Sequence, residues 1–187
     1  MEDGARVELR LLADDDRDEL VDAMVRSREL HEPWITGPTT PGEFDELLQR
    51  TEDDSFVALL IRLRDDGRIA GVFQISQIFL KAFQSAFLGY SGVAGLEGKG
   101  YMTEGMGLVL DYAFGELGLH RLEANIQPGN TASIALVRRC GFVKEGFSEK
   151  YLKIGGEWRD HERWAIRSEI WSELRDAAPR APARDPR

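Results

Sequence analysis

The distribution of hydrophobic and polar residues predicts a chain that alternates between strands and helices. Seven segments have the apolar density or the period-two alternation of strands, at 6–12, 55–63, 68–80, 83–93, 121–126, 142–154 and 157–167. Four segments have the pattern of helices, at 14–30, 41–50, 102–117 and 130–141. The third of these is the clearest, because its apolar residues recur at spacings of three and four: Met102, Met106, Val109, Leu110, Ala113, Phe114 and Leu117.

Residues that commonly begin or end helices and turns support these boundaries. The acidic run 14–16 offers N-cap and first-turn carboxylates to the first helix. Asn130 is a good N-cap for the fourth helix, and Gly141 is a good C-cap. The segments 65–67 and 155–156 predict tight turns between antiparallel strands.

The order of these elements predicts an α+β fold, within the wider α/β class. Antiparallel strands come first, and a strand–helix–strand crossover follows, so the sheet is expected to be mixed but mainly antiparallel. About seven strands would be flanked by about four helices. We expect a single domain over residues 1–176 and a disordered tail over 177–187, which is rich in Pro, Ala and Arg.

Composition and charge exclude several classes of protein. Hydrophobic residues make up 42% of the 187 residues, and no apolar run approaches the roughly 20 residues that a membrane-spanning helix needs. The net charge of -9 argues against a nucleic-acid partner. The one cysteine, Cys140, cannot form an internal disulfide, and we expect it in the core of a cytoplasmic protein. Neither a histidine cluster nor paired cysteines indicate a metal site.

The segment 97–104, Glu-Gly-Lys-Gly-Tyr-Met-Thr-Glu, joins a predicted strand to a predicted helix. The first N–H groups of a helix have no intrahelical partner, so this glycine loop is suited to bind an anion such as phosphate. A turn without a ligand is the alternative. The P-loop pattern is absent because Lys99 lies between the two glycines, and the Rossmann pattern is absent because Thr103 stands where the third glycine belongs.

Three motifs together resemble the GNAT N-acetyltransferases, in particular the branch of ribosomal-protein alanine N-acetyltransferases and their small-molecule relatives. The glycine loop is similar to the acetyl-CoA pyrophosphate loop of that family. The segment 130–133 followed by 139–142 is similar to an Asn-x-x-Ser…Gly-Phe signature, and 145–161 is similar to a closing hairpin. The resemblance covers roughly residues 6–166 and implies a GNAT-like fold.

The resemblance implies acetyl-CoA as the co-substrate, with no metal. Its pantetheine arm would lie between two diverging strands, those at 83–93 and 121–126. The implied cofactor-binding residues are Ser91, Gly92, Val93, Gly98, Lys99, Gly100, Tyr101, Met102, Thr103 and Asn130. Two departures from the family pattern are Glu97, in place of Gln or Arg, and Met102, in place of a small residue.

Two residues are the candidates for catalysis, and each has a structural alternative. The resemblance implies that Ser133 stabilises or protonates the thiolate, whereas a serine inside a helix can instead bond back to a carbonyl. Glu123 could take the proton of the amine, or it could form a salt bridge with Arg121 or Lys150. Asp160 or His161 is an alternative base, and strand parity allows only one of them to face the cleft.

A free α-amine is already partly deprotonated near neutral pH, so no dedicated base is a further alternative. The acceptor itself is left open between a protein N-terminus and a small amine such as an amino acid, a polyamine or an antibiotic. A non-catalytic acyl-CoA-binding regulator is a third hypothesis. The loop around Trp34 would form a wall of the substrate cleft or, alternatively, a surface connection. Both a monomer and a homodimer are compatible with the sequence.

Overall fold

The computed structural model describes residues 5–35 and 37–177, which form a seven-stranded sheet with helices on both faces. The strands are β1 (Val7–Leu11), β2 (Phe56–Leu63), β3 (Ile69–Phe79), β4 (Ser85–Gly92), β5 (Arg121–Ile126), β6 (Val143–Ile154) and β7 (Glu157–Arg167). Their spatial order is β1-β2-β3-β4-β5-β7-β6. All neighbouring pairs are antiparallel except β4 and β5, which are parallel. The predicted mixed, mainly antiparallel sheet is therefore confirmed.

The described residues contain six α-helices, where about four were predicted. They are α1 (Arg17–Arg26), α2 (Arg28–His31), α3 (Pro41–Arg50), α4 (Tyr101–Asp111), α5 (Thr131–Arg139) and α6 (Ser168–Ala177). A 3-10 turn at Asp14–Asp16 precedes α1, and a π-helical turn at Tyr112–Glu116 continues α4. The two additional helices arise from a break in the first predicted helix and from α6.

The break in the first predicted helix lies at Ser27, which is buried. Its hydroxyl donates to the Ala23 carbonyl (2.6 Å) and accepts from the Ala94 N–H (2.9 Å). These bonds tie the end of α1 to the segment that follows β4, and the chain turns there into the short helix α2. The turn places His31 with Nε2 at 2.7 Å from the Gly92 carbonyl oxygen. The prediction of one continuous helix over 14–30 was therefore wrong at Ser27, where the helix breaks.

The helix α6 packs against α4. Trp171 Nε1 and Arg175 Nη1 each donate to Asp111 Oδ1, both at 2.7 Å. Ala177, predicted as the first residue of a disordered tail, instead ends this helix. The rest of that predicted tail, 178–187, lies outside the described residues.

The alternation of side chains along the strands builds a hydrophobic core on each face of the sheet. The larger core contains the helices α4 and α5, with buried residues that include Phe73, Ile75, Met106, Leu110, Leu122 and Val137. The second contains α1 and α3, with buried residues that include Leu20, Met24, Phe44, Leu60 and Val72. Two packed faces hold the central strands rigidly, and the candidate site lies where two of these strands separate.

Candidate active site

The parallel strands β4 and β5 pair over only three residues each. Ser85, Ala86 and Phe87 pair with Arg121, Leu122 and Glu123, and beyond this point the strands separate. The separation leaves backbone groups of both strands without strand partners, which is the divergence that the sequence predicted between these strands. The N–H of Val93, the residue after β4, donates to the carbonyl of Ala70 on β3 at 3.0 Å. Because strand donors alternate in direction, the Gly92 N–H points toward the opening.

Two cavities meet at this opening. The larger one, here the outer cavity, has a volume of about 820 Å³ and extends from the glycine loop to α5. The smaller one, here the inner cavity, has a volume of about 80 Å³ and lies between the separated ends of β4 and β5. The residues that line both cavities are Trp34, Ile35, Tyr90, Asn130 and Ser133. Of the two alternatives for the Trp34 loop, this placement matches a wall of the cleft and not a surface connection.

The glycine loop has the backbone conformation of an anion-binding turn. Gly98 and Gly100 have φ values of 71° and 84°, which only glycine adopts readily, and Gly100 is the N-cap of α4. Among the described residues, no acceptor bonds the backbone N–H groups of residues 98–102. These donors lie at the positive end of α4 and line the outer cavity. The loop is therefore suited to hold a diphosphate.

Cations outnumber carboxylates around this loop. Arg6, Lys99 and Arg139 line the outer cavity together with Glu97 and Glu104. Glu97 accepts the Gly95 N–H at 2.7 Å, and Glu104 accepts the Val7 N–H at 3.1 Å and the Arg6 Nε–H at 3.0 Å. Arg6 and Glu104 form an ion pair, so Lys99 and Arg139 against Glu97 leave a surplus of positive charge at the mouth of the outer cavity.

The structure explains the two departures from the family pattern. The carboxylate of Glu97 turns back onto the N–H of Gly95, within its own loop. The side chain of Met102 packs on the two glycines of adjacent strands, because a Cβ added at Gly71 would lie 2.4 Å from Met102 Sδ and one at Gly92 would lie 3.4 Å from Met102 Cγ. Both side chains are thus accommodated without occupying the backbone donors of the loop.

The start of α5 places a serine at the junction of the cavities. Asn130 caps the helix, with its side-chain oxygen accepting the Ser133 N–H at 3.1 Å. Ser133 Oγ lies 2.5 Å from the hydroxyl of Tyr90. No bond from Ser133 Oγ to a helix carbonyl occurs within residues 5–35 and 37–177, so the back-bonding alternative is not observed. Burial raises the pKa of Tyr90 far above its usual range.

His161 is the titratable residue of β7 that reaches the inner cavity, whereas Asp160 accepts the exposed Lys150 N–H at 2.8 Å. The His161 side chain is buried, and its Nδ1 lies 3.0 Å from the Arg159 carbonyl oxygen. A carbonyl can only accept, so Nδ1 carries the hydrogen and Nε2 is left as an acceptor. Burial lowers the pKa of His161, which keeps the ring neutral near pH 7.

Two predicted site residues lie away from both cavities. Glu123, the first candidate for the base, accepts from Arg121 Nε at 2.9 Å, and Arg121 also binds Glu145. This is the salt-bridge alternative, so the structure does not bring Glu123 to the site. Val93 is buried in the second core, and its N–H is bonded to Ala70. The remaining predicted residues all line the outer cavity: Ser91, Gly92, Gly98, Lys99, Gly100, Tyr101, Met102, Thr103, Asn130 and Ser133.

The structure adds three residues that sequence reasoning did not assign to the site. Tyr90 bonds Ser133, and His31 bonds the Gly92 carbonyl. Asn125 lines the inner cavity, and its side-chain oxygen is buried without a partner among the described residues. Of these, only Tyr90 and Asn125 could have been found from the sequence, because both are polar residues on the two strands expected to diverge.

Two further features were considered for the described residues, a metal site and a reactive cysteine. They contain no group of three or more His, Cys, Asp or Glu residues arranged to hold a metal ion, and no helix among them is long and apolar enough to cross a membrane. Burial raises the pKa of Cys140 to about 11, so its thiol stays protonated and unreactive near neutral pH.

Comparisons with known proteins point to one family. A family model described as an acetyltransferase (GNAT) domain matches residues 6–143. The probable N-acetyltransferase YjcK of Bacillus subtilis (strain 168) is 43% identical over 124 residues, which are 66% of this chain and 67% of that protein. The ribosomal protein uS5-alanine N-acetyltransferase of Escherichia coli (strain K12) is 37% identical over 108 residues, 58% of this chain and 56% of that protein.

A solved structure extends the similarity to the whole fold. RimJ of Mycobacterium smegmatis in complex with CoA-disulfide matches with a TM-score of 0.81 and 28% identity, over 91% of this chain and 88% of that one. The family model, which matches residues 6–143, includes the glycine loop and the separated strands β4 and β5.

Proposed function

The chain belongs to the GNAT acetyltransferase family, and we propose that it transfers the acetyl group of acetyl-CoA directly to a primary amine. The observation that carries the proposal is the continuous path from the glycine loop, through the gap between β4 and β5, to His161. One end of this path suits an anion and the other end offers a proton acceptor. Tyr90 and Ser133, which line both cavities, lie between these ends.

Binding of the cofactor falls to the outer cavity in this proposal. The backbone donors of residues 98–102 would hold the pyrophosphate, with Arg6, Lys99 and Arg139 nearby. The Gly92 N–H, which points into the opening, would polarise the thioester carbonyl. Acetyl-CoA supplies an activated acetyl thioester, and the protein's part is to position it and to manage protons and charge.

The inner cavity would receive the amine. It offers His161 Nε2 and the carboxamide oxygen of Asn125, two acceptors that have no partner among the described residues. Two further amides line this cavity: Gln127 donates to the Trp34 carbonyl at 3.2 Å, and Asn130 accepts the Ser133 N–H at 3.1 Å. When the amine nitrogen forms its bond to the carbonyl carbon, His161 accepts the proton that the nitrogen loses. The C–S bond breaks with its electron pair on sulfur, and Ser133 donates a hydrogen bond to that sulfur. The thiolate gains its proton from water after release, and His161 returns its proton to water.

We propose a protein N-terminal α-amine as the acceptor. Support comes from the similarity to the uS5-alanine N-acetyltransferase of Escherichia coli. A small-molecule amine is the alternative acceptor for the same reaction. The regulator hypothesis has no comparable support, because the relatives compared above are named as acetyltransferases.

The test is thiol release from acetyl-CoA in the presence of candidate acceptors. The panel holds peptides with different first residues, the same peptides with blocked N-termini, and small amines such as spermidine and free amino acids. We expect thiol release with free peptides and none with blocked ones. Release with small amines alone would move the acceptor to the alternative class. Binding of acetyl-CoA without release for any member would contradict the proposed reaction.

A further inference from the structure

We propose that Tyr90 is a positioning residue whose buried hydroxyl orients the Ser133 hydroxyl toward the sulfur of the thioester. The inference rests on the proposed function for its catalytic consequence. Its structural part, a specific hydrogen bond between two side chains, is a property of the protein alone and can be measured without any substrate.

The contacts of Tyr90 leave its hydroxyl with one role. The ring packs against Phe73, with centroids 5.6 Å apart, and fixes the phenol within the sheet. The hydroxyl oxygen lies 2.5 Å from Ser133 Oγ and 3.4 Å from the Ser133 carbonyl oxygen. No other partner for this hydroxyl occurs in the part of the chain that the structure describes. Among the described residues, the Tyr90 hydroxyl is therefore hydrogen-bonded to Ser133 alone.

We take Tyr90 as the donor in this hydrogen bond, whose length alone fits either direction. Burial raises the pKa of Tyr90 well above the working range of pH, so the phenol stays neutral and its O–H must find an acceptor. Ser133 Oγ is the nearer of its two acceptors. Once Oγ accepts from Tyr90, the hydrogen of Ser133 is free to point elsewhere, and Ser133 lines both cavities.

The consequence for the reaction is orientation, with no proton leaving Tyr90. A serine hydroxyl otherwise rotates among three positions, and bonding to a helix carbonyl would turn its hydrogen away from the cavity. The hydrogen bond from Tyr90 opposes that rotation, and the Asn130 side chain fixes the Ser133 backbone by accepting the Ser133 N–H. The O–H of Ser133 is then directed at the charge that develops on sulfur when the C–S bond breaks.

The first experiment measures the hydrogen bond in the free protein. The chain has four tyrosines, so NMR spectra of protein labelled with carbon-13 at tyrosine Cζ should contain four signals. Tyr90→Phe assigns its signal by removing it. We expect Ser133→Ala to shift the Tyr90 signal and to leave the other three unchanged. A Tyr90 signal that is unmoved by Ser133→Ala would overturn the inference whatever the activity.

The second experiment is a double-mutant cycle on turnover. Tyr90→Phe keeps the ring in place, and we expect it to lower kcat about tenfold with the KM for acetyl-CoA unchanged. In the Ser133→Ala background the same change should have no further effect, because Tyr90 acts through Ser133. Tyr112→Phe, on the continuation of α4 and outside both cavities, is the matched control and should leave kcat unchanged.

The outcomes separate the inference from the proposed function. Additive losses in the double variant, or an effect of Tyr90→Phe on KM alone, would overturn the positioning role while acetyl transfer stands. Absence of turnover in the unmodified protein would overturn the proposed function, and the NMR result would still decide whether Tyr90 holds Ser133.

Discussion

At the scale of single residues, the environment of each side chain determines which of them can exchange protons in the site. Glu123 and His161 lie on neighbouring strands, but Glu123 is held by Arg121 while His161 Nε2 has no partner among the described residues. Burial lowers the pKa of His161, so its ring is available as a base at a pH where a solvent-exposed histidine is partly protonated.

This difference predicts a pH profile. A lowered pKa means that His161 accepts a proton above that pKa and fails below it, so kcat/KM, which reports the free enzyme, should fall as pH drops, with a midpoint below the usual histidine pKa. His161→Gln should lower kcat at pH 7.5 about a hundredfold and remove that midpoint. His120→Gln is the matched control, because His120 is exposed, bonds Glu169 and lies outside both cavities. If His161→Gln keeps the rate and the midpoint, the amine loses its proton to water and no dedicated base operates.

At the scale of elements, the sequence predicts best where local chemistry decides the structure. The helix α3, the strands β5 and β7 and the cap at Asn130 appear where the pattern placed them, because caps, prolines and alternation act over a few residues. The break at Ser27 depends on a bond to Ala94, and the position of Glu123 depends on Arg121 and Glu145. Contacts between residues distant in the chain leave no local signal, so the break was not predictable, and the sequence left Glu123 open between catalysis and the salt bridge with Arg121.

The role of the glycine loop in binding can be tested separately from the backbone strain that a substitution at a glycine of positive φ causes. Gly98 has a φ of 71° and the hairpin residue Gly67 has a φ of 75°, and a Cβ added at either meets nothing within 4 Å. Valine at either position should therefore cause similar strain, about 1–2 kcal/mol. We expect Gly98→Val to weaken acetyl-CoA binding at least tenfold and Gly67→Val to leave it unchanged, as measured by calorimetry. Equal affinities in the two variants would contradict the role of the loop.

Variants of Asn130, the N-cap of α5, can separate its structural role from a role in binding acetyl-CoA. Asn130→Ala should lower the free energy of unfolding by about 1 kcal/mol, because the Ser133 N–H loses its acceptor. Asn130→Asp keeps the acceptor and should restore stability. Because both variants lack the amide N–H groups, the KM for acetyl-CoA should be raised in both. Thr40→Ala removes the equivalent cap of α3, outside both cavities, and should lower stability alone. A normal KM for Asn130→Asp would make Asn130 a cap only.

At the scale of the whole molecule, the site depends on a sheet that is divided at its centre. The strands β4 and β5 share three residue pairs, so the two halves of the sheet are joined there by few hydrogen bonds. The outer cavity is lined by residues from both sides of this division, from Tyr90 and Gly92 on β4 to Ser133 and Arg139 on α5. A ligand that contacts both sides adds interactions between the halves that the free protein lacks.

Acetyl-CoA should therefore raise the thermal stability of the entire chain. A ligand that binds only the folded state at about 100 times its Kd stabilises that state by about 2.7 kcal/mol. For a protein of this size, each kcal/mol shifts Tm by about 2–4 °C, so we expect an increase of about 5–11 °C in calorimetry. Ser133→Ala should keep the full increase, because Ser133 acts on the sulfur during the reaction, whereas Gly98→Val should lose most of it. An equal increase with ATP would indicate a general anion effect at the cations of the outer cavity, and no increase with acetyl-CoA would contradict its binding there.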